Sequence, residues 1–258
     1  MIKAVFLDVD GTLYSHGMHA VPPSALRALE ALREGGIRIF LATGRHQMAL
    51  KKLNLPAFPF DGYVTLTGHL CYDRDWRPVF RSSLPEADQA ALVRAFEARR
   101  HPLLLLHEHE EYINYVDALT AGMMAAVSSA PPQTAAYNGE PIYAAALYST
   151  RAEAEQLMTG MPGCRLSAWY ETGFDIISRE VGKARGIEEM LRSFDLRREE
   201  TAVFGDADND VEMLEYAGVG VAMGNGTPAA KAAADLVTAD VDADGLACAF
   251  RTLGLLEA

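Results

Sequence analysis

The chain has 258 residues, half of them hydrophobic, and its 23 Lys or Arg against 35 Asp or Glu leave a net charge of −12. At about 150 residues per domain this is one large domain or two modest ones, able to bury a core and too apolar for disorder. The acidic balance argues against binding to a nucleic-acid backbone, no apolar run nears the ~20 residues of a membrane span, and three scattered cysteines without CxxC spacing argue against a disulfide framework or a zinc knuckle.

Residues 4–7 read as a buried strand that runs straight into Asp8. Two carboxylates this early, Asp8 and Asp10, do not fit a signal peptide, and a soluble cytoplasmic protein is expected. Residues 24–34 carry Leu26, Leu29 and Leu32 at helical spacing, between Pro22-Pro23 and a stop at Gly35-Gly36. A second apolar run, 37–42, ends at Thr43-Gly44-Arg45; 48–53 reads as a helix and 62–66 as a third run. Strands alternating with helices predict right-handed βαβ units and a Rossmann-like, doubly wound parallel sheet.

From about residue 80 to 178 the pattern changes. Residues 85–100 are helical, 103–107 and 111–115 are strand-like, and another helix precedes the polar turn Pro131-Pro132-Gln133. A strand at 142–148, a helix at 152–158 and a hairpin of 165–169 with 174–177 complete an expected inserted α+β domain, 80–178. The first rhythm then returns. Residues 183–194 read as a helix, 201–204 as a strand ending at Gly205-Asp206, 211–216 as a helix and 219–223 as a strand. A helix at 228–234, a short strand at 235–238 and a helix at 242–253 close the chain, so 1–79 and 179–258 are expected to form one core domain.

Ligands of an open α/β sheet sit outside the carboxyl ends of its strands. Three runs here end in small polar clusters: Asp8-Val9-Asp10-Gly11-Thr12, Thr43-Gly44-Arg45, and Gly205 to Asp210. Asp8 and Asp10 share one face of an extended strand, and two like charges there call for a cation. Asp206, Asn209 and Asp210 add hard oxygen donors of the kind Mg²⁺ accepts, although Asp210 could equally cap the helix at 211. Thr43-Gly44 offers a hydroxyl and an N–H as a plausible anion site at a helix start. Lys183 opens a helix, where a cation opposes the dipole unless a negative charge lies nearby.

Together these residues resemble the haloacid dehalogenase superfamily of phosphohydrolases. Its first motif, DxDGT-L after an apolar strand, matches Asp8 to Leu13; its second matches Thr43, its third Lys183, and its fourth, GDxxND, Gly205 to Asp210. The insert between the second and third motifs, with Met223-Gly224-Asn225, resembles the Cof-type branch and its α/β cap. Two positions depart from that branch: Thr67-Gly68-His69 stands where Asn-Gly-Ala is usual, and Ala184 where Gly is usual.

The resemblance implies Mg²⁺-dependent hydrolysis of a small phosphomonoester, such as a sugar phosphate, with no nucleic-acid or membrane partner. Asp8 would form an aspartyl-phosphate and Asp10 would serve as acid and then base. The carboxylates of Asp8 and Asp206 and the carbonyl of Asp10 would hold Mg²⁺. Thr43, Gly44, Lys183 and Asn209 would bind the phosphoryl oxygens, and Asp210 would orient Lys183 or a water on the metal. It also implies hinges near 79–83 and 178–182, with substrate choice in the cap. A sugar phosphomutase is one alternative; a catalytically silent metabolite-binding module is another, and the paired aspartates argue against it. His107-Glu108-His109-Glu110-Glu111 reads as a strand segment with alternating faces, poorly arranged for a second metal. Trp169 and Tyr170 are candidates to line the cap, and spacing assigns no role to Arg45 or His46.

Overall fold

The computed structural model describes residues 1–53, 55–126 and 132–256. Its first arm contains β1 (Ala4–Leu7), α1 (Pro23–Glu34), β2 (Arg38–Ala42), α2 (Gln47–Lys52), β3 (Gly62–Thr65), β4 (Leu70–Asp73) and β5 (Pro78–Arg81). The middle contains α3 (Glu86–Ala98), β6 (Leu103–Leu106), β7 (Glu111–Ile113), α4 (Ala118–Ala126), β8 (Gln133–Thr134), β9 (Ala144–Tyr148), α5 (Arg151–Met158), β10 (Cys164–Tyr170) and β11 (Gly173–Ser178). The last arm contains α6 (Lys183–Ser193), β12 (Thr201–Gly205), α7 (Val211–Tyr216), β13 (Val219–Ala222), α8 (Pro228–Ala233), β14 (Leu236–Val237) and α9 (Gly245–Thr252). The two arms, 1–81 and 181–258, form one compact unit, and 82–180 form another.

The first unit is built on a sheet of order β14-β13-β12-β1-β2-β3-β4-β5, parallel from β14 through β3 and antiparallel in its last two strands. β1 lies between β12 and β2, with Ala4 opposite both Thr201 and Arg38. A strand covered on both faces needs no polar alternation, so Ala4, Val5, Phe6 and Leu7 are all buried. Val5 and Leu7 join one core layer with residues of α1 and α9, while Ala4 and Phe6 join the other with residues of α6 and α7. α1 starts with Pro23, whose fixed φ suits a first turn, and Gly35 follows its end. It turns Ala25, Ala28, Leu29 and Leu32 inward, and each buried Leu contributes about 1.5–3 kcal/mol.

The expected strands and helices of both arms are present, but the sequence reading missed the β4–β5 hairpin. Phe80 pairs with Cys71 in this extension of the sheet, so the inserted unit starts at residue 82 rather than 80, and it runs to 180. Pro78 is tolerated because β5 is an edge strand, where a missing N–H donor costs nothing.

The second unit has a sheet of order β10-β11-β9-β6-β7-β8, antiparallel except for β7 with β8. Leu103 and Leu105 of β6 and Phe174 and Ile176 of β11 alternate into a core with Leu92 and Phe96 of α3 and Ala154 of α5. His107 to Glu110 do not continue a strand as expected; they form the turn between β6 and β7, closed by the His107 N–H donating to the Glu110 carbonyl at 3.0 Å. Trp169 and Tyr170 are exposed at the end of β10. Pro131, in the expected polar turn, lies outside the described residues. Among those residues, no helix is long and apolar enough to cross a membrane.

Candidate active site

Because β1, β2, β3 and β12 are parallel, the residues after them share one edge of the sheet. Asp8 follows β1, Thr43 follows β2, Leu66 to Gly68 follow β3, and Asp206 follows β12. Gly11 makes the turn after Asp10 with φ of +80°, and a Cβ there would run into the Asp206 carboxylate. Thr12 Oγ1 donates to Asp206 Oδ1 at 3.0 Å, which ties the first cluster to the third.

Lys183 stands at the first position of α6 and is wholly buried. Its Nζ donates to Asp8 Oδ1 and to Asp210 Oδ1, both at 2.5 Å. These carboxylates are the negative charge that a cation at this helix end requires. Asp210 does not cap α7 with its side chain, contrary to one expectation. Its Oδ2 instead accepts from the backbone N–H groups of Asp206 and Ala207, each at 2.9 Å. One buried carboxylate thus fixes both the ammonium and the loop that carries Asp206.

Burial favours the neutral forms here, and the partners answer it unequally. The Asp8 carboxyl is raised well above its usual value by burial, helped by Asp210 and Asp206 and opposed by Lys183. Asp206 is pushed up to about 6 by burial and the nearby Asp210 charge. Burial would lower Lys183, but Asp210 and Asp8 outweigh it and hold the ammonium charged. Three carboxyl groups thus crowd around a single ammonium.

Asp10 is handled separately. Arg45 grips it with a bidentate fork, Nε to Oδ2 at 2.6 Å and Nη2 to Oδ1 at 2.7 Å, and His16 Nε2 lies 3.0 Å from Oδ1. Burial pushes this carboxyl up, yet the Arg45 bonds and charge prevail and keep it below the ordinary range. His46 has a structural task, accepting the Met48 N–H to cap α2. α2 begins only at Gln47, so Thr43-Gly44 precedes the helix rather than opening it. Thr43 Oγ1 accepts the Arg45 N–H at 3.1 Å. Gly44 faces Thr67 and Asn209: a Cβ placed on it would lie 3.4 Å from Thr67 Oγ1 and 3.7 Å from Asn209 Nδ2.

Sequence reasoning left the Arg45 fork, Thr67 and the bridge made by Asn225 unassigned. Asn225 Nδ2 donates to the Gly11 carbonyl at 2.8 Å, and its Oδ1 accepts the Val241 N–H at 2.9 Å. The signal for Arg45 was its place in the polar cluster after β2, beside the strand that ends at Asp8. Asn225 stood in the Met223-Gly224-Asn225 motif, which marked the position without giving its bonding, since Gly11 lies 214 residues away.

A family model described as haloacid dehalogenase-like hydrolase matches residues 5–250. The chain belongs to that family. Its sequence is 30% identical to YkrA of Bacillus subtilis strain 168 over 99% of both chains. It is 27% identical to the pyridoxal phosphate phosphatase YbhA of Escherichia coli K12, over 95% of this chain and 96% of that one. The structure of the subclass IIB sugar phosphatase BT4131 superposes with a TM-score of 0.85 at 30% identity, covering 98% of this chain and all of the other. The protein is a phosphatase of the Cof-type branch, with the Rossmann-like core that its motifs imply.

Phosphatases of this family use a divalent metal, and the donors here fit one. One carboxylate oxygen from each of Asp8, Asp206 and Asp210 lies within 4.8 Å of the others, the arrangement of acidic groups suited to a metal among the described residues. The donors are hard oxygens, and a divalent cation would supply positive charge that the crowded carboxylates lack. In metal-free protein, a carboxyl raised to about 6 keeps a proton that the unfolded chain releases near pH 4, so this group's contribution to stability declines as pH rises through that window. A cation must displace that proton. Mg²⁺ should therefore raise the thermal midpoint more at pH 7.5 than at pH 5, as differential scanning fluorimetry can measure. Equal shifts at both pH values would contradict binding at these carboxylates.

Proposed function

We propose that the chain is a Mg²⁺-dependent phosphomonoesterase that acts on a sugar phosphate through a phosphorylated Asp8. The observation that carries this reading is the wholly buried Lys183 ammonium, shared between Asp8 and Asp210 beside Asp206. That much buried charge is costly as scaffolding and fits a site prepared for a phosphoryl group. The whole-length similarity to a sugar phosphatase supports the substrate class.

In this reading an Asp8 carboxylate oxygen attacks phosphorus, the bond to the leaving oxygen breaks, and Asp10 gives that oxygen a proton. A water then attacks phosphorus, Asp10 takes its proton, and Asp8 and free phosphate are released. The Arg45 fork holds Asp10 as a carboxylate, the form the second half requires, so the first half requires that Arg45 give up one oxygen of Asp10 to a proton when substrate binds. Lys183 steadies Asp8 and the phosphoryl charge, and Asp210 steadies Lys183. Thr43, Gly44 and Asn209 hold the phosphoryl oxygens. Asp8, Asp206 and the carbonyl of Asp10 would hold Mg²⁺, which when bound offsets charge on the phosphoryl oxygens. The inserted unit, residues 82–180, is assigned the choice of leaving group.

Phosphate release across a panel of sugar phosphates, pyridoxal phosphate and other phosphorylated metabolites tests the function. Free phosphate from a sugar phosphate is expected, and an isomeric ester in its place would make the protein a mutase. Asp10→Asn tests the acid. It should slow attack on an alkyl phosphate by about 10²–10⁴-fold. With p-nitrophenyl phosphate, whose leaving group needs no proton, a burst of nitrophenol should survive although turnover stalls. Equal loss of the first step for both esters would remove Asp10 from the acid role.

A further inference from the structure

We infer that Thr67 is a further phosphate-binding residue, its hydroxyl donating to a phosphoryl oxygen seated over Gly44 and facing the Asn209 amide. This rests on the phosphoryl-transfer reading above and extends it to a residue outside the four motifs.

The first support is backbone geometry. Leu66, Thr67 and Gly68 have φ of +47°, +53° and +94°, and two of these three are not glycine. Thr67 is β-branched, and at φ 53°, ψ 38° it sits in the left-handed region such residues avoid. The segment is pinned there. Leu66 N–H donates to the Arg45 carbonyl and Thr67 N–H to the Thr43 carbonyl, both at 3.1 Å. Gly68 lies so close to the Gly182 carbonyl, one residue before Lys183, that no side chain fits. A strained residue held from both sides at the rim of an active site is positioned for a purpose beyond packing.

The second support is Gly44. Its φ is outside the left-handed region, so its backbone does not demand glycine. Packing does not demand it either, since an added Cβ would meet nothing nearer than 3.4 Å. The two groups that Cβ would meet are both polar, Thr67 Oγ1 and Asn209 Nδ2. A bare Cα between a hydroxyl and an amide NH₂ leaves room for a ligand atom that accepts from both. Both groups can donate, so the ligand they suit is one rich in acceptor oxygens, as a phosphoryl group is.

The test uses Mg²⁺-loaded full-length enzyme, p-nitrophenyl phosphate as substrate and inorganic phosphate as inhibitor. Thr67→Val keeps shape and branching but loses the donor, so KM and the phosphate inhibition constant should both rise roughly tenfold or more. Thr67→Ser should restore both. Thr67→Gly should raise the thermal midpoint by relieving strain, yet weaken phosphate binding as Val does, which a merely structural residue would not do. Gly44→Ala should fold normally and bind phosphate poorly, because its methyl enters the cradle. If Asp8→Asn is inactive but Thr67→Val, Thr67→Gly and Gly44→Ala all bind phosphate as wild type does, the Thr67 inference alone is overturned. If Asp8→Asn still turns over, the phosphoryl-transfer reading fails and takes this one with it.

Discussion

Asp8→Asn should reduce phosphate release to background, a loss of roughly a millionfold, the scale seen when a nucleophile is removed. The amide keeps the shape of the carboxyl but is a poor nucleophile. The fold should survive for a specific reason. Asp8 is a carboxyl whose charged form is already disfavoured by burial, so replacing it with a neutral group relieves crowding with Asp206 and Asp210. Lys183 loses one partner and keeps Asp210. Chemical denaturation should place the variant within about 1 kcal/mol of wild type, the two changes opposing each other. Near-normal turnover by a well-folded variant would remove Asp8 from the chemistry.

Lys183→Met should damage both activity and stability. It removes the sole cation in contact with Asp8 and Asp210 among the described residues and leaves three crowded carboxylates. Breaking a buried ion pair on one side costs about 3–5 kcal/mol. The cost should depend on pH in a definite direction. The Lys183 ammonium is held above the ordinary lysine range, so in wild type it stays charged through neutral pH and contributes at pH 5 and pH 8 alike. In the variant, the folded state meets its excess charge by binding protons that the unfolded state releases near pH 4. Its deficit should therefore be small at pH 5 and grow towards pH 8. Urea titrations at the two pH values, without metal, measure this. An undiminished stability at pH 8 would mean that the carboxylates do not need the ammonium.

What was legible in the sequence follows from where each constraint lies. β1 and β12 could be read because central parallel strands are buried on both faces, and that prints unbroken apolar runs such as Ala4 to Leu7. The polar residues ending those runs could be read as a site because parallel strands bring their carboxyl ends to one edge. The β4–β5 hairpin was missed because its edge strand β5 has no buried residue, so nothing in its sequence marks an apolar face, and β4 follows the turn after β3 without an α-helix between them. Partnerships across the chain were invisible to spacing. Lys183 meets Asp8 from 175 positions away, and Asn225 reaches Gly11 across 214. The left-handed turn at Leu66-Thr67 is contrary to what those residues favour, so their identities point away from it. Asp210 illustrates a choice that composition leaves open: a carboxylate ahead of a helix can cap it, and here the backbone of residues 206 and 207 and the Lys183 ammonium claim it instead.

The central claim is that phosphate passes through Asp8 on its way to water. Two displacements at phosphorus restore its configuration, whereas direct attack by water inverts it. Hydrolysis of an ester with an isotopically chiral phosphoryl group, in labelled water, reads the difference in the phosphate released. Net retention is the predicted result, and net inversion would contradict a covalent intermediate at Asp8.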